Sequence, residues 1–242
     1  MTRRAKSTRV VKLVETATRL FIEKGYRRAQ MEDVTQAMGW SPAAVYRYVE
    51  SKEALFDLVI RAGATPGRRF DDLKLPVATP KPGATLRFLR ETLHREGQIK
   101  SLESALSRKT VDYPEQELEA VVRELYSRIA RYQVGIKLLD RSILDWPQLA
   151  ELWSGQLRNA FIEQLAKYLG QRMDNGLLRP VPSPRAAARL IVEAVAFFAM
   201  HRHYDPFPTP MDDKTAEDTV ADTIVHAYEK YNSANSRLGT IW

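Results

Sequence analysis

Apolar positions recur at helical spacing along most of this chain. Val10, Leu13, Val14, Ala17, Leu20 and Phe21 form one stripe and predict a first helix, because residues three and four apart share a face. Val34, Ala37 and Met38 predict a short second helix. Gly39 ends it, since glycine takes up the left-handed backbone at a helix C-terminus. Ser41 is a good N-cap and Pro42 suits the first helical position, so a third short helix starts there. Val45 and Val49 lie four apart and face inward, which places Pro42, Ala43, Ala44, Tyr46, Arg47 and Tyr48 outside. Glu53 to Ile60 begin a fourth helix.

Residues 63–83 hold Pro66, Pro76, Pro80 and Pro82 with Gly63, Gly67 and Gly83, the composition of a loop or broken linker. Beyond it, Leu86, Leu89 and Leu93 predict one helix, and Ile99, Leu102 and Leu106 another. Leu118, Val121, Leu125, Ile129, Tyr132, Ile136 and Leu139 keep helical spacing over about six turns and predict a long central helix. Pro147 opens the next, with Leu152, Leu157, Phe161, Leu165, Tyr168 and Leu169, closing near Asn175-Gly176. Pro184 starts a helix through His201, and Asp212 to Tyr231 is a last amphipathic one. There is no alternating strand pattern of useful length and no internal repeat. The expected fold is all-α, with a small N-terminal domain over 1–61 and a larger helical domain over 62–242.

Hydrophobic residues make up 44% of the 242, enough for a substantial core. The net charge is +7, unevenly placed: residues 1–61 hold 12 Lys and Arg against 7 Asp and Glu, the remainder 25 against 23. A basic excess on one domain is the electrostatic footprint of a nucleic-acid partner, although a solvated surface has the same look when read alone. There are no cysteines, which excludes disulfide and thiolate chemistry and fits the cytoplasm. The basic start, Met1 to Arg9, has no apolar segment behind it, so it does not read as a signal peptide. It suits contact with phosphates or a minor groove, or plain solvation. The most apolar run, Leu190 to Met200, contains Glu193 and is too short to span a bilayer. No membrane partner is expected.

Residues 31–52 therefore read as two short helices joined by a tight turn. The second has small residues at its start and aromatic and cationic groups behind them, which suits entry into a DNA major groove. The run from Arg9 to Arg61 resembles the DNA-binding domain of TetR-family transcriptional regulators. The matching features are Leu20-Phe21-Ile22-Glu23-Lys24-Gly25-Tyr26, the Val34/Gly39 spacing, Val45-Tyr46-Arg47-Tyr48, and Ser51-Lys52-Glu53-Ala54-Leu55-Phe56. Three positions depart from the pattern. Ala29 and Gln30 stand where the family usually has a Thr or Ser pair, Trp40 replaces a small aliphatic residue, and Val49 replaces a Phe.

The resemblance implies that Tyr46 and Lys52 approach the DNA backbone, with Arg28 and Gln30 near the start of the second helix. Ser41, Pro42, Ala43, Ala44, Arg47 and Tyr48 complete the expected DNA-binding set. Ala43 and Ala44 are short enough to let the helix sink toward thymine methyls, and Arg47 is the best donor for a guanine edge. The resemblance also implies a second domain that binds a small effector and forms a homodimer through two late helices, here about 147–174 and 184–203. The expected interface residues are Phe161, Leu165, Tyr168, Ala187, Leu190, Ile191, Ala194, Val195 and Phe198; burial within one subunit is the alternative. Candidate effector contacts are Phe88, His94, Leu102, Leu106, Tyr126, Tyr132 and Gln133, each of which also suits core or surface.

No catalytic set emerges. Four histidines, at 94, 201, 203 and 226, make no familiar zinc signature. His201-Arg202-His203 with Asp205 could approach a metal at a helix end, but alternate helical residues diverge and imidazoles are favoured there by the helix dipole. Asp71-Asp72 and Asp212-Asp213 sit in proline-bordered stretches where solvation is the default. No nucleophile elbow or phosphate-binding glycine loop is present, so no metal or cofactor is expected. The expected function is a ligand-responsive, DNA-binding transcriptional repressor acting on a pseudo-palindromic operator. The alternatives are a helical carrier or enzyme that merely contains the helix-turn-helix shape, and an architectural DNA-binding protein without an effector.

Overall fold

The computed structural model describes residues 3–230; Met1 and Thr2 of the basic arm, and Tyr231, lie outside them. The fold is all-α. The helices are α1 (Arg3–Lys24), α2 (Met31–Met38), α3 (Pro42–Tyr46), α4 (Lys52–Gly63), α5 (Ala84–Glu96), α6 (Lys100–Ser107) and α7 (Pro114–Ser142). After them come α8 (Pro147–Ala150), a π-helical stretch (Glu151–Arg158), α9 (Asn159–Asp174), α10 (Pro184–Ala199), a 3₁₀ turn (His201–Tyr204) and α11 (Asp213–Tyr228).

Most boundaries follow the local signals. Ser41, Ser51, Ser183 and Asp212 each accept a backbone N–H at the start of a helix, which satisfies one of the orphan donors there. Asp212 is therefore a cap rather than a merely solvated carboxylate. The central helix α7 is longer than its apolar stripe indicates, reaching from Pro114 to Ser142. The expected helix over 147–174 is present but changes its winding between Glu151 and Arg158.

The chain divides into two compact units, 1–97 with 131–158, and 98–130 with 159–242. This division does not follow the expected boundary at residue 61. In the first unit α1 packs on α2 and α4, burying Leu13, Phe21, Leu55, Phe56 and Leu58 together with Leu138 and Leu149. Phe56 meets Phe21 edge-on at 5.1 Å and Tyr26 at 4.5 Å between ring centroids. Gly63 and Gly135 bring two backbones into direct contact: a Cβ added at Gly135 would fall 2.6 Å from the Gly63 carbonyl oxygen.

The second unit packs α9 on α6 and α10, and α10 on α11, around Leu118, Leu165, Leu169, Ile191, Val195 and Val220. Arg172 of α9, deeply buried in this unit, donates from Nε to Glu117 Oε1 at 2.8 Å and from Nη2 to Glu117 Oε2 at 3.3 Å. Nη2 also donates to the Ala105 carbonyl. The guanidinium lies over the Tyr168 ring, 5.3 Å from its centroid. Burial, then the Glu117 carboxylate, raises the Tyr168 phenol far above its ordinary value.

Candidate nucleic-acid interface

The second helix starts without the usual Thr or Ser pair. Instead Asp33 accepts the Gln30 backbone N–H at 2.8 Å and the Lys24 ammonium at 2.6 Å. This is the carboxylate half of a capping box, which satisfies the N-cap residue's own backbone N–H. The Lys24 contact, followed by the Gln30 N–H, holds the Asp33 carboxyl below its ordinary range. At the other end Gly39 adopts φ +64°, the left-handed conformation in which its N–H reaches Gln36 O while Trp40 N donates to Thr35 O. The chain thus turns sharply at 39–41. Ser41 Oγ then accepts from Ala44 N at 3.3 Å and starts α3.

Val45 of α3 is fully buried, while Ser41, Pro42, Ala43, Tyr46 and Arg47 are exposed and Ala44 is half-exposed. Tyr46 is 46% exposed and has no role in the core. The face expected to meet DNA is thus free along its length, with one correction. Tyr48 is only 7% exposed and packs on Trp40, 5.3 Å between ring centroids. The regular helix ends at Tyr46, and the following turn, with Tyr48 N donating to Val45 O, carries the tyrosine under the helix rather than outside it. Trp40 is therefore a packing partner for the recognition segment, and the Arg9 guanidinium lies 6.0 Å from the Trp40 ring.

Lys52, the first residue of α4, sits 4.8 Å above the Tyr26 ring and donates to the Arg27 carbonyl at 3.3 Å. Tyr26 in turn donates to Glu53 Oε1 at 3.3 Å. Burial, then the Glu53 charge, pushes the Tyr26 phenol up to about 12, so it remains a neutral donor at ordinary pH. Arg28 is exposed, its Nε bonded to Lys24 O at 2.9 Å. Tyr26, Arg28, Tyr48 and Lys52 are thus held by specific contacts within this unit, while Tyr46 and Arg47 are exposed.

One part of this unit was missed from sequence. Residues 73–79, expected as plain linker, run extended beside the end of the recognition segment. Val77 N donates to Tyr48 O at 2.8 Å, and Glu50 N donates to Val77 O at 3.0 Å. Leu73, Leu75 and Val77 pack against the core while Lys74, Pro76 and Ala78 are exposed. The alternation of Leu73-Lys74-Leu75-Pro76-Val77 was the available signal.

The expected effector contacts divide between the units. Phe88, His94, Tyr132 and Gln133 belong to the first, Leu102, Leu106 and Tyr126 to the second, so no single unit holds them all. His94 is on the surface. Phe88 lies under the Arg61 guanidinium at 4.3 Å. Tyr132 donates to Glu96 Oε2 at 2.7 Å, and Gln133 is half-buried. Leu102 is core, Leu106 packs at its edge, and Tyr126 is buried with its hydroxyl on the Asp213 carbonyl at 3.1 Å.

Of the expected interface residues, Leu165, Tyr168, Ala187, Ile191 and Val195 are buried in their own unit, a correction that follows from α10 packing on α9 and α11. Leu190 remains on an open face at 65% exposure, with Ala194, Phe198 and Phe161 partly exposed. Phe197, not in the expected set, is 46% exposed on the same side, two turns from Leu190. At the end of α10, Arg202 and His203 make protein contacts. Arg202 donates to Phe198 O and Met211 O and pairs with Asp213; His203 Nε2 lies 3.7 Å from the same carboxylate. No helix among the described residues is long and apolar enough to cross a membrane.

With this geometry established, residues 13–59, which span α1 to α4, match the family described as bacterial regulatory proteins, tetR family. These residues match the DNA-binding domain of that family. The matched segment holds the helix-turn-helix formed by α2 and α3. An uncharacterised HTH-type transcriptional regulator, YfiR of Bacillus subtilis, is 33% identical to this chain over 69 residues, 28% of the chain and 34% of YfiR. The chain thus spans about a third of that relative. The ketosteroid transcriptional regulator KstR2 of Mycobacterium tuberculosis shares the fold with a TM-score of 0.57 at 15% identity, covering 92% of this chain and 96% of that one. A tetR-family regulatory protein from Rhodococcus RHA1 does so with a TM-score of 0.52 at 15% identity, covering 92% and 97%. At these identities the likeness is one of fold, and with 92% of this chain covered it reaches beyond the matched residues 13–59.

Proposed function

We propose that this chain is a ligand-responsive repressor that binds a pseudo-palindromic operator as a homodimer. The observation that carries the reading is the exposed face of α3, from Ser41 to Arg47, held rigidly in a basic helix-turn-helix unit. One five-residue helix reads too few base pairs for specificity, so two copies in successive major grooves are required. The open apolar strip of Leu190, Ala194 and Phe197 on α10 supports pairing, because monomers seldom leave large apolar side chains in contiguous patches. Selection of bound duplexes from a random-sequence library, followed by footprinting, tests this reading. Two half-sites about one helical turn apart are expected; a single unpaired half-site bound at full affinity would overturn it.

Within that site Arg47 reads a guanine edge and Lys52 holds phosphate. Arg47→Ala is expected to cost about 1–3 kcal/mol and to relax specificity at one position of each half-site. Equal loss on all sequences would make Arg47 a backbone contact instead.

The effector acts inside residues 84–178 without touching DNA. It favours a dimer geometry whose recognition helices no longer match the half-site spacing, and its effect is bounded by its differential affinity for the two states. A small, largely apolar or aromatic inducer suits the partly buried Trp153, Leu157 and Phe88. Ser154 Oγ and Arg158 Nε of the π-helical stretch are buried without hydrogen-bond partners in the same unit, which supports a polar group on that ligand. Linkage sets the check: the inducer must bind the operator-loaded dimer more weakly by the factor by which it weakens DNA binding. Equal affinity in both states would refute the mechanism.

A further inference from the structure

We infer that the extended segment 73–81 is a second DNA-contacting element, a strap that sets Lys81 against a backbone phosphate beside the one held by Lys52. The inference rests on the DNA-binding reading above and adds to it a contact outside the helix-turn-helix.

The strap is fixed where such a contact is useful. Its Val77 is bonded on both sides to the backbone of Tyr48 and Glu50, which follow the recognition helix directly. Thr79 N donates to Glu50 Oε2 at 2.9 Å, and the hydroxyls of Thr79 and Ser51 share a hydrogen bond of 2.8 Å. Ser51 is also the cap of α4, so Thr79 is tied to the residue next to Lys52. Lys81 follows two residues later, within about 7 Å of chain. Pro80 and Pro82 on either side fix φ and lower the entropy of holding that lysine in place. Its carbonyl accepts from Ala84 N at 3.0 Å, which closes the turn into α5.

Charge points the same way. Lys81 is exposed, and no carboxylate among the described residues pairs with it. Glu50, the carboxylate nearest in the strap's own bonding, is occupied by the Thr79 N–H. Residues 1–83 hold 16 Lys and Arg against 9 Asp and Glu, whereas residues 84–242 hold 21 against 21. The whole net charge of +7 therefore lies on the helix-turn-helix and the strap together, and the rest of the chain is neutral. A polyanion whose phosphates recur at close spacing fits this continuous basic segment; an acidic protein surface would not need it joined to a recognition helix.

The test uses the full chain and a duplex that the wild-type protein selects from a random-sequence library. Affinity is measured as a function of KCl for wild type, Lys81→Ala, Lys81→Arg, Lys52→Ala and Lys167→Ala, the last an exposed lysine of α9. Lys81→Ala is expected to flatten the slope of log K against log salt by about 1.8, one phosphate contact of about 0.9 in each of the two half-sites, with the preferred bases unchanged. Lys81→Arg should retain the wild-type slope, and Lys167→Ala should leave it unaltered. A wild-type slope in Lys81→Ala, or an equal loss in Lys167→Ala, would overturn the strap contact while leaving the helix-turn-helix reading intact. A wild-type chain that selects no duplex would overturn both.

Discussion

Replacing Arg172 with methionine is expected to cost about 3–5 kcal/mol of folding stability, the usual penalty for removing one partner of a buried ion pair. The side chain is 2% exposed and Glu117 is nearly as deep. Without the guanidinium, the nearest remaining cation to that carboxylate is Arg108, whose nearest nitrogen is 4.0 Å away and largely in solvent. The Ala105 carbonyl loses its donor as well. Arg172 ties α9 to both α6 and α7 through these contacts, so its loss loosens the helix on which the expected dimer helix α10 packs. Urea unfolding at fixed protein concentration measures the cost. The double variant Glu117→Leu, Arg172→Met should recover most of it, because removing both charges abolishes the desolvation penalty. A loss below about 1 kcal/mol for Arg172→Met alone would show that water reaches the pair and that its energy is that of a surface bridge.

The helix-turn-helix was legible because its determinants are local. Gly39, Ser41-Pro42 and the Val45/Val49 pair act within a few residues, and each keeps its expected place. Tyr48 was misplaced for a related reason. Helical periodicity stops deciding orientation once the helix ends at Tyr46, and the ring then follows its aromatic partner Trp40. The helices of the larger region were readable from apolar spacing, but the partner of each apolar face was not. Leu165, Tyr168, Ile191 and Val195 satisfy a dimer seam and an internal core equally well, and packing of α10 between α9 and α11 selects the core. Leu190 carries the same kind of side chain and stays outside. The strap escaped notice because its alternating run is short and broken by Pro76, and its bonds go to residues almost thirty positions earlier. The π-helical winding of residues 151–158 has no counterpart in the apolar spacing, which fits an ordinary α-helix there.

A Gly135→Val variant is expected to lose about 3 kcal/mol, the upper end of the range for overpacking, although valine would ordinarily suit a helix better than glycine. The reason is contact between main chains. A Cβ at residue 135 would stand 2.6 Å from the Gly63 carbonyl oxygen and 2.9 Å from its carbon. Neither atom belongs to a flexible side chain, so relief requires α4 and the second half of α7 to part. Gly170 of α9 supplies the contrast, because the nearest atom to an added Cβ there is Pro184 Cγ at 3.9 Å, an ordinary contact. Gly170→Ala should therefore gain up to about 1 kcal/mol by removing the entropic cost of a helical glycine. Thermal and urea unfolding of the two variants should give opposite signs. The consequence for function follows from where Gly63 lies. It ends α4, whose first residue is Lys52 and whose N-cap Ser51 follows the recognition segment. Parting the two glycines moves the rear of the helix that positions the DNA-facing groups. Gly135→Val should thus weaken operator binding at temperatures where the protein is still folded, whereas Gly170→Ala should not. Wild-type affinity in a folded Gly135→Val protein would mean that the Gly63–Gly135 contact holds the fold together but carries nothing to the DNA-facing helices.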